Sequence, residues 1–178
     1  RPNTKVVGHS AAAVASFFGV ENWPRDQVPF DLGGRIVDIL PMPGHHDSHV
    51  MIFDRATRLL FSGDSLYPGR LYFKCGKLAE YRASIGRLAD FANTNDISWV
   101  LGAHIELAQT PGKAYSAGDR KRRDERLLEL PASSIHDLKA RLDALGSEPR
   151  VTPYDNFILF PHPADPRGKQ PPNWCLTD

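Results

Sequence analysis

Three apolar runs in this chain each end in a glycine beside an imidazole or a carboxylate, and that pattern constrains the fold most. The run through Arg35–Leu40 turns at Pro41-Met42-Pro43-Gly44 and delivers His45, with His46, Asp47 and His49 close behind. Leu59–Ser62 ends in Gly63-Asp64-Ser65, and Ile97–Leu101 ends in Gly102-Ala103-His104. Loops at strand ends, held by a rigid sheet, are where catalytic and binding groups concentrate. Glycine beside each such group suits backbone that turns sharply or approaches a site closely. A chain of this pattern is expected to place three chemistry-bearing loops around one sheet.

The remaining segments alternate between strand and helix signals. Lys5–Val7 reads as a short strand, and Ser10 is placed to cap a helix over Ala11–Phe18 that Gly19 stops. His49–Phe53 and Leu59–Ser62 flank Asp54-Arg55-Ala56-Thr57 as a hairpin. Leu78, Tyr81, Ile85, Leu88 and Ala92 recur at helical spacing, as do Ile135, Leu138, Leu142 and Leu145 between Ser134 and Gly146. Gln109–Asp124 is polar and turn-rich and is predicted to be a long surface loop. Phe157–Phe160 is predicted to be a last strand before a Pro-rich tail at 161–178. No repeat or composition shift divides the chain, so one domain over 1–178 is expected, of the layered α/β or α+β kind.

Composition narrows the partners. Lys and Arg total 22 against 21 Asp and Glu, a net charge of +1, which argues against a nucleic-acid-binding surface. The apolar run Ala11–Val20 falls short of the about 20 residues a membrane span needs. A small-molecule substrate, no nucleic acid and no membrane are therefore expected. Cys75 and Cys175 form no C-x-x-C unit and fit either one disulfide or two unrelated thiols, which leaves the compartment open.

The chemistry of the three loops suits a divalent cation. Neutral imidazole and carboxylate bind zinc at about 2.0–2.2 Å, and a carboxylate can bridge two ions. Iron and manganese accept the same donors. The competing readings are a solvated loop histidine at 45 and a turn-forming aspartate at 64. His46, Asp47 and His49 fit either a supporting role behind a ligand or plain surface and core positions. Tyr67, Arg70 and Tyr72, directly after Asp64, fit either a substrate grip or a packed, Pro-turned loop. Arg120–Arg123 is the one basic run; acids flank it, which favours a solvated loop.

Taken together, Asp31–Gly34, Pro43-Gly44-His45, Leu60–Asp64 and Gly102-Ala103-His104 resemble the metallo-β-lactamase superfamily in order and spacing over about the first 105 residues. The resemblance implies an αββα sandwich, an α+β fold, with metals at one edge between the sheets. It implies His45 as a ligand of a first metal, Asp64 as a bridging carboxylate and His104 as a ligand of a second. One or two zinc ions, or iron or manganese, would be the cofactor. A bridging aspartate resembles the hydroxyacylglutathione-hydrolase-like branch, which implies hydrolysis of an ester, thioester or lactone by hydroxide bound at a mono- or binuclear site.

The family's His-x-His-x-Asp-His motif does not occur in these 178 residues. By the resemblance it would fall just before Arg1, taking the general base with it, so the chain is expected to be an N-terminally incomplete portion of the sandwich. That expectation carries an alternative: a non-catalytic, truncated or degenerate module that acts in binding or assembly, with a homodimer covering the face left open.

Overall fold

The computed structural model describes residues 4–116, 119–146 and 149–162. Cys175 and positions 163–178 of the Pro-rich tail, and with them the disulfide question, lie outside the described residues. The order is helix α1 (Ala11–Phe18), strands β1 (Val28–Asp31), β2 (Ile36–Pro41), β3 (Val50–Asp54), β4 (Leu59–Gly63) and β5 (Arg70–Lys74), then helix α2 (Leu78–Thr94). Strands β6 (Trp99–Gly102) and β7 (Glu129–Leu130), helix α3 (Ser133–Ala144), and strands β8 (Thr152–Pro153) and β9 (Ile158–His162) follow. The strands form a six-stranded sheet, β1-β2-β3-β4-β6-β7, and a three-stranded sheet, β5-β9-β8. The fold is mixed α+β, as the sequence implied.

Local signals explain most of the elements. Ser10 Oγ accepts from the Ala13 N–H at 3.2 Å, and Gly19 ends α1 in the left-handed region. The β1–β2 hairpin turns on Asp31, whose Oδ1 accepts from the N–H groups of Gly33 (2.9 Å) and Gly34 (2.7 Å). In the large sheet one face carries Phe53, Leu60, Val100 and Leu130 as a cross-strand row. These residues enter the core with Tyr81, Ile85 and Leu88 of α2 and Ile135, Leu138 and Leu142 of α3. The opposite face carries Ile39, Ile52, Phe61 and Leu101 in register, with Phe61 43% and Trp99 46% exposed.

The structure departs from the sequence expectations in several places. Lys5–Val7 is not a strand: it pairs with no strand among the described residues, and Val6 is exposed. Ser134 does not cap α3. Ala132 holds that position, and the Ser134 hydroxyl is buried in the first turn without a hydrogen bond. Leu145, rather than Gly146, ends α3, its N–H reaching the carbonyls of Arg141 and Leu142. Arg70–Lys74, where the sequence predicts loop, is strand β5, paired in parallel with β9. No helix among the described residues is long and apolar enough to cross a membrane.

Topology brings the three loops together. β3 runs antiparallel to both β2 and β4, so β2 and β4 share a direction, and β6 is parallel to β4 with α2 as the crossover. The C-terminal ends of β2, β4 and β6 therefore lie at one edge of the sheet. Gly63 and Gly102 are register partners, and the Ala103 N–H donates to the Gly63 carbonyl at 2.9 Å. His45, Asp64 and His104 emerge from that edge.

The sheet also holds two saturated carboxylates. Asp54 receives the Arg35 guanidinium, the Thr57 hydroxyl and the Ala56 N–H, while Asp38 receives both arms of Arg55 at 2.8 and 2.6 Å. The hydrogen bonds from Arg35 and Thr57 hold the Asp54 carboxyl well below its usual range. A depressed folded-state pKa gives stability that is present above the unfolded value and lost as pH falls through the folded one. Stability should therefore fall as pH drops below about 4. Asp54→Asn should be less stable than wild type at pH 7, and the gap should narrow on acidification. Urea midpoints measured from pH 7 downward check this, and a gap that stays constant with pH would contradict it.

Candidate metal centre

The His45 ring is oriented by the main chain. Its Nδ1 lies 2.9 Å from the Tyr72 carbonyl oxygen, which can only accept, so Nδ1 carries the proton. That contact leaves Nε2 as the ring nitrogen free to bind a cation, the arrangement typical of a metal-binding histidine. That Nε2 is 3.8 Å from Asp64 Oδ2, and His104 Nε2 is 2.9 Å from Asp64 Oδ1. His104 packs edge-on to the Tyr67 ring, with centroids 5.4 Å apart. Asp64 thus sits between two imidazoles carried by loops from β2 and β6.

Helix α2 fixes two of these loops. The Tyr81 hydroxyl donates to the Ser65 carbonyl at 2.5 Å, and the Ser84 hydroxyl donates to the Pro43 carbonyl at 2.6 Å. Gly44 lies against Tyr81 so closely that a Cβ there would come within 2.6 Å of its ring and 2.9 Å of its backbone. The residue before His45 and the residue after Asp64 are therefore both held from one helical face. In the Asp64 loop itself, the Ser62 hydroxyl donates to the Leu66 carbonyl at 2.5 Å.

His49 is the functional candidate that sequence reasoning left undecided. Its Nε2 accepts from the Asp64 N–H at 3.3 Å, and its Nδ1 lies 3.3 Å from Ser65 Oγ. Burial, reinforced by the nearby His45, pushes its pKa down to about 4, so the ring is neutral at pH 7. The other two neighbours face outward: His46 is exposed and contacts Ser48, and Asp47 pairs with Lys77 at 3.3 Å.

The residues expected to grip substrate are engaged within the protein. Tyr67 is 1% exposed, and its hydroxyl donates to the Arg70 carbonyl. Arg70 donates to the Tyr115 carbonyl at 2.6 Å and pairs with Glu106 at 3.4 Å. Tyr72 packs on Phe160, with ring centroids 4.9 Å apart. The open volume lies instead beside His104, a cleft of about 350 Å³ lined by Ala103, His104, Ile105, Glu106, Arg122 and Glu125 among others. In the basic run, Arg120, Lys121 and Arg123 are exposed, and Arg122 folds back to the Ile105 carbonyl at 2.7 Å.

The donor set fits a divalent cation in kind. Asp64 Oδ1 is buried and accepts no hydrogen bond, since its 2.9 Å contact with His104 Nε2 is not aligned as one. Donors at about 2.0–2.2 Å from a tetrahedral zinc ion lie about 3.4 Å apart, between the 2.9 Å that separates Asp64 from His104 and the 3.8 Å that separates it from His45. In number the set is short: among the described residues no group of three or more His, Cys, Asp or Glu closes into a metal cage. A carboxylate and two imidazoles lie near one another without forming a complete set of ligands by themselves.

Residues 2–77 match the family model of the metallo-beta-lactamase superfamily. That stretch includes His45 and Asp64 and ends before His104. The acyl-coenzyme A thioesterase MBLAC2 of Gallus gallus is 30% identical over 78 residues, 43% of this chain and 28% of that protein. The Homo sapiens protein of that name is 29% identical over 83 residues, 46% of this chain and 30% of that protein. The matched segment thus spans less than a third of the length of these curated relatives. Among solved structures, a metallo-beta-lactamase from Pontibacter korlensis superposes with a TM-score of 0.44 at 14% identity, covering 67% of this chain and 47% of that one. An archaeal superfamily protein from Sulfolobus tokodaii gives 0.41 at 16% identity, covering 71% and 40%.

The α2 contacts yield a stability prediction. Tyr81→Phe removes the donor to the buried Ser65 carbonyl and should cost about 1–3 kcal/mol. Chemical unfolding of the variant measures it, and a wild-type unfolding free energy would show that the contact contributes nothing.

Proposed function

From a chain whose residues 2–77 fall in the metallo-beta-lactamase superfamily, we propose that it is part of a metal-dependent hydrolase acting on an ester, lactone or thioester. His45, Asp64 and His104 would hold the cation. The observation that supports this reading is the Asp64 carboxylate, whose buried Oδ1 has no hydrogen bond and lies 2.9 Å from His104 Nε2 while Oδ2 lies 3.8 Å from His45 Nε2. Thioesters come first among the substrate classes, because the curated relatives are named acyl-coenzyme A thioesterases. Zinc suits the imidazole and carboxylate donors, and iron or manganese would suit them too. One or two ions remain within this proposal, as does a single domain over the whole chain.

A divalent cation here supplies Lewis acidity toward a carbonyl and activation of water. The chain's own residues do the positioning. The Tyr72 carbonyl keeps the His45 proton on Nδ1, and the Tyr81 and Ser84 hydroxyls hold the loops that carry His45 and Asp64. The cleft beside His104 is the place we assign to the substrate. Arg122 borders it, and Arg70 and Tyr67 act behind it by ordering the Glu106 and His104 walls.

A second reading, a binding or assembly module, is favoured by the exposed Phe61 and Trp99 on the sheet face away from the helices. Two measurements separate the readings. Zinc titration of the chain, with acyl-thioester hydrolysis followed by thiol release, should show metal binding that Asp64→Ala and His104→Ala each weaken. The loss should exceed the about 10–100-fold typical of outer partners of a metal site. Wild-type zinc affinity in both variants would refute the site. A zinc-free dimer by sedimentation, without turnover, would favour the assembly module.

A further inference from the structure

We propose that His49 is the positioning residue of this site, holding the Asp64 loop by accepting its backbone N–H so that the carboxylate faces His45 and His104. The proposal rests on the reading of Asp64 as a metal ligand, but the geometry that carries it is independent of any ion. Asp64 N–H can donate only to a nitrogen with a free lone pair, so Nε2 is unprotonated and the ring's proton sits on Nδ1. Nδ1–H then faces the buried Ser65 Oγ at 3.3 Å, whose hydroxyl can accept it. One imidazole thus spans two consecutive residues of the β4 loop, from a position fifteen residues earlier in the chain.

The backbone around the ring is shaped to admit it. His49 is pinned on its own side by the Met42 N–H donating to its carbonyl at 2.8 Å, and its N–H donates to the His46 carbonyl at 3.1 Å. Across from it, Gly63 has φ +56, and a Cβ at that position would stand 2.6 Å from His49 Nε2. Any side chain at 63 would displace the ring. The sheet register shifts between Phe61 and Gly63, and β4 ends at Gly63, so the Asp64 amide lies beyond the ladder. That amide is accordingly free to donate to the ring.

The test reads the hydrogen bond first and the metal second. In the metal-free chain, hydrogen exchange of the Asp64 amide is measured by NMR for wild type, His49→Gln, His49→Leu and Ser65→Ala. Glutamine can return an acceptor oxygen toward the amide, and leucine cannot. We expect exchange at Asp64 to rise about fivefold or more with leucine, and to stay within about twofold with glutamine. Amides of α2 should not change. Ser65→Ala, which removes the hydroxyl that meets Nδ1 and so loosens the ring, should also raise exchange at Asp64, and it covers the case in which His49→Leu fails to fold. Zinc affinity should then fall about 10–100-fold in His49→Leu and much less in His49→Gln. Equal exchange in wild type and the leucine variant, or equal loss with glutamine and leucine, would overturn the proposal. Intact amide behaviour in a wild-type chain that binds no zinc would instead overturn the metal-site reading and leave the positioning role standing.

Discussion

The grip of helix α2 on two loops is the constraint on which the site depends. Tyr81 and Ser84 lie on the buried side of the helix, three residues apart, and so point to the same face. One hydroxyl ends on Ser65 O and the other on Pro43 O, which ties the loops after β4 and β2 to a single rigid element. The helix is also the crossover that makes β6 parallel to β4, so it sets where His104 emerges. Core packing and site geometry are therefore not separable here. Leu78, Ile85 and Leu88 bury the face whose polar members align the loops.

Much of this was legible in the sequence because the signals were local. The α1 cap and stop, the β3–β4 hairpin and the α2 periodicity each rest on residues a few positions apart, and each formed as read. The convergence of His45, Asp64 and His104 was legible as well, since each follows an apolar strand directly. What escaped had poor strand composition or depends on pairing across distance. β1 carries Pro29 and Asp31, poor strand formers that an edge position tolerates. β5 follows Pro68-Gly69 and exists because β9, far along the chain, lies beside it. Lys5–Val7 has strand composition, yet no neighbouring strand pairs with it among the described residues.

The fate of the polar residues near the site follows the same division. Tyr67 and Arg70 stand next to Asp64 in sequence, which suggested a substrate role. In space their hydrogen-bonding groups turn inward, toward the Arg70 carbonyl, Glu106 and the Tyr115 carbonyl. His49 behaves in the opposite way: its sequence context is an ordinary loop, and its ring reaches the backbone of β4's last turn. The only sequence cue to that contact is Gly63, whose missing side chain makes room for an imidazole that nothing nearby in the chain announces.

Charge separates Asp64 from the other aspartates of the sheet. Asp54 and Asp38 are each met by two arms of a guanidinium, so their charge is neutralised within the protein. The cations around the candidate centre are taken up elsewhere: Lys77 by Asp47 and Glu80, Arg70 by Glu106, Arg122 by Glu125. Among the described residues the side chains paired with Asp64 are the imidazoles of His45 and His104, and the His45 ring already gives its Nδ1 proton to a carbonyl. A buried carboxylate oxygen without a donor costs about 1–3 kcal/mol or more when charged. The fold supplies arginines to its structural carboxylates at two places and withholds them at this one. A positive charge bound beside Asp64 would neutralise it as guanidinium neutralises the others.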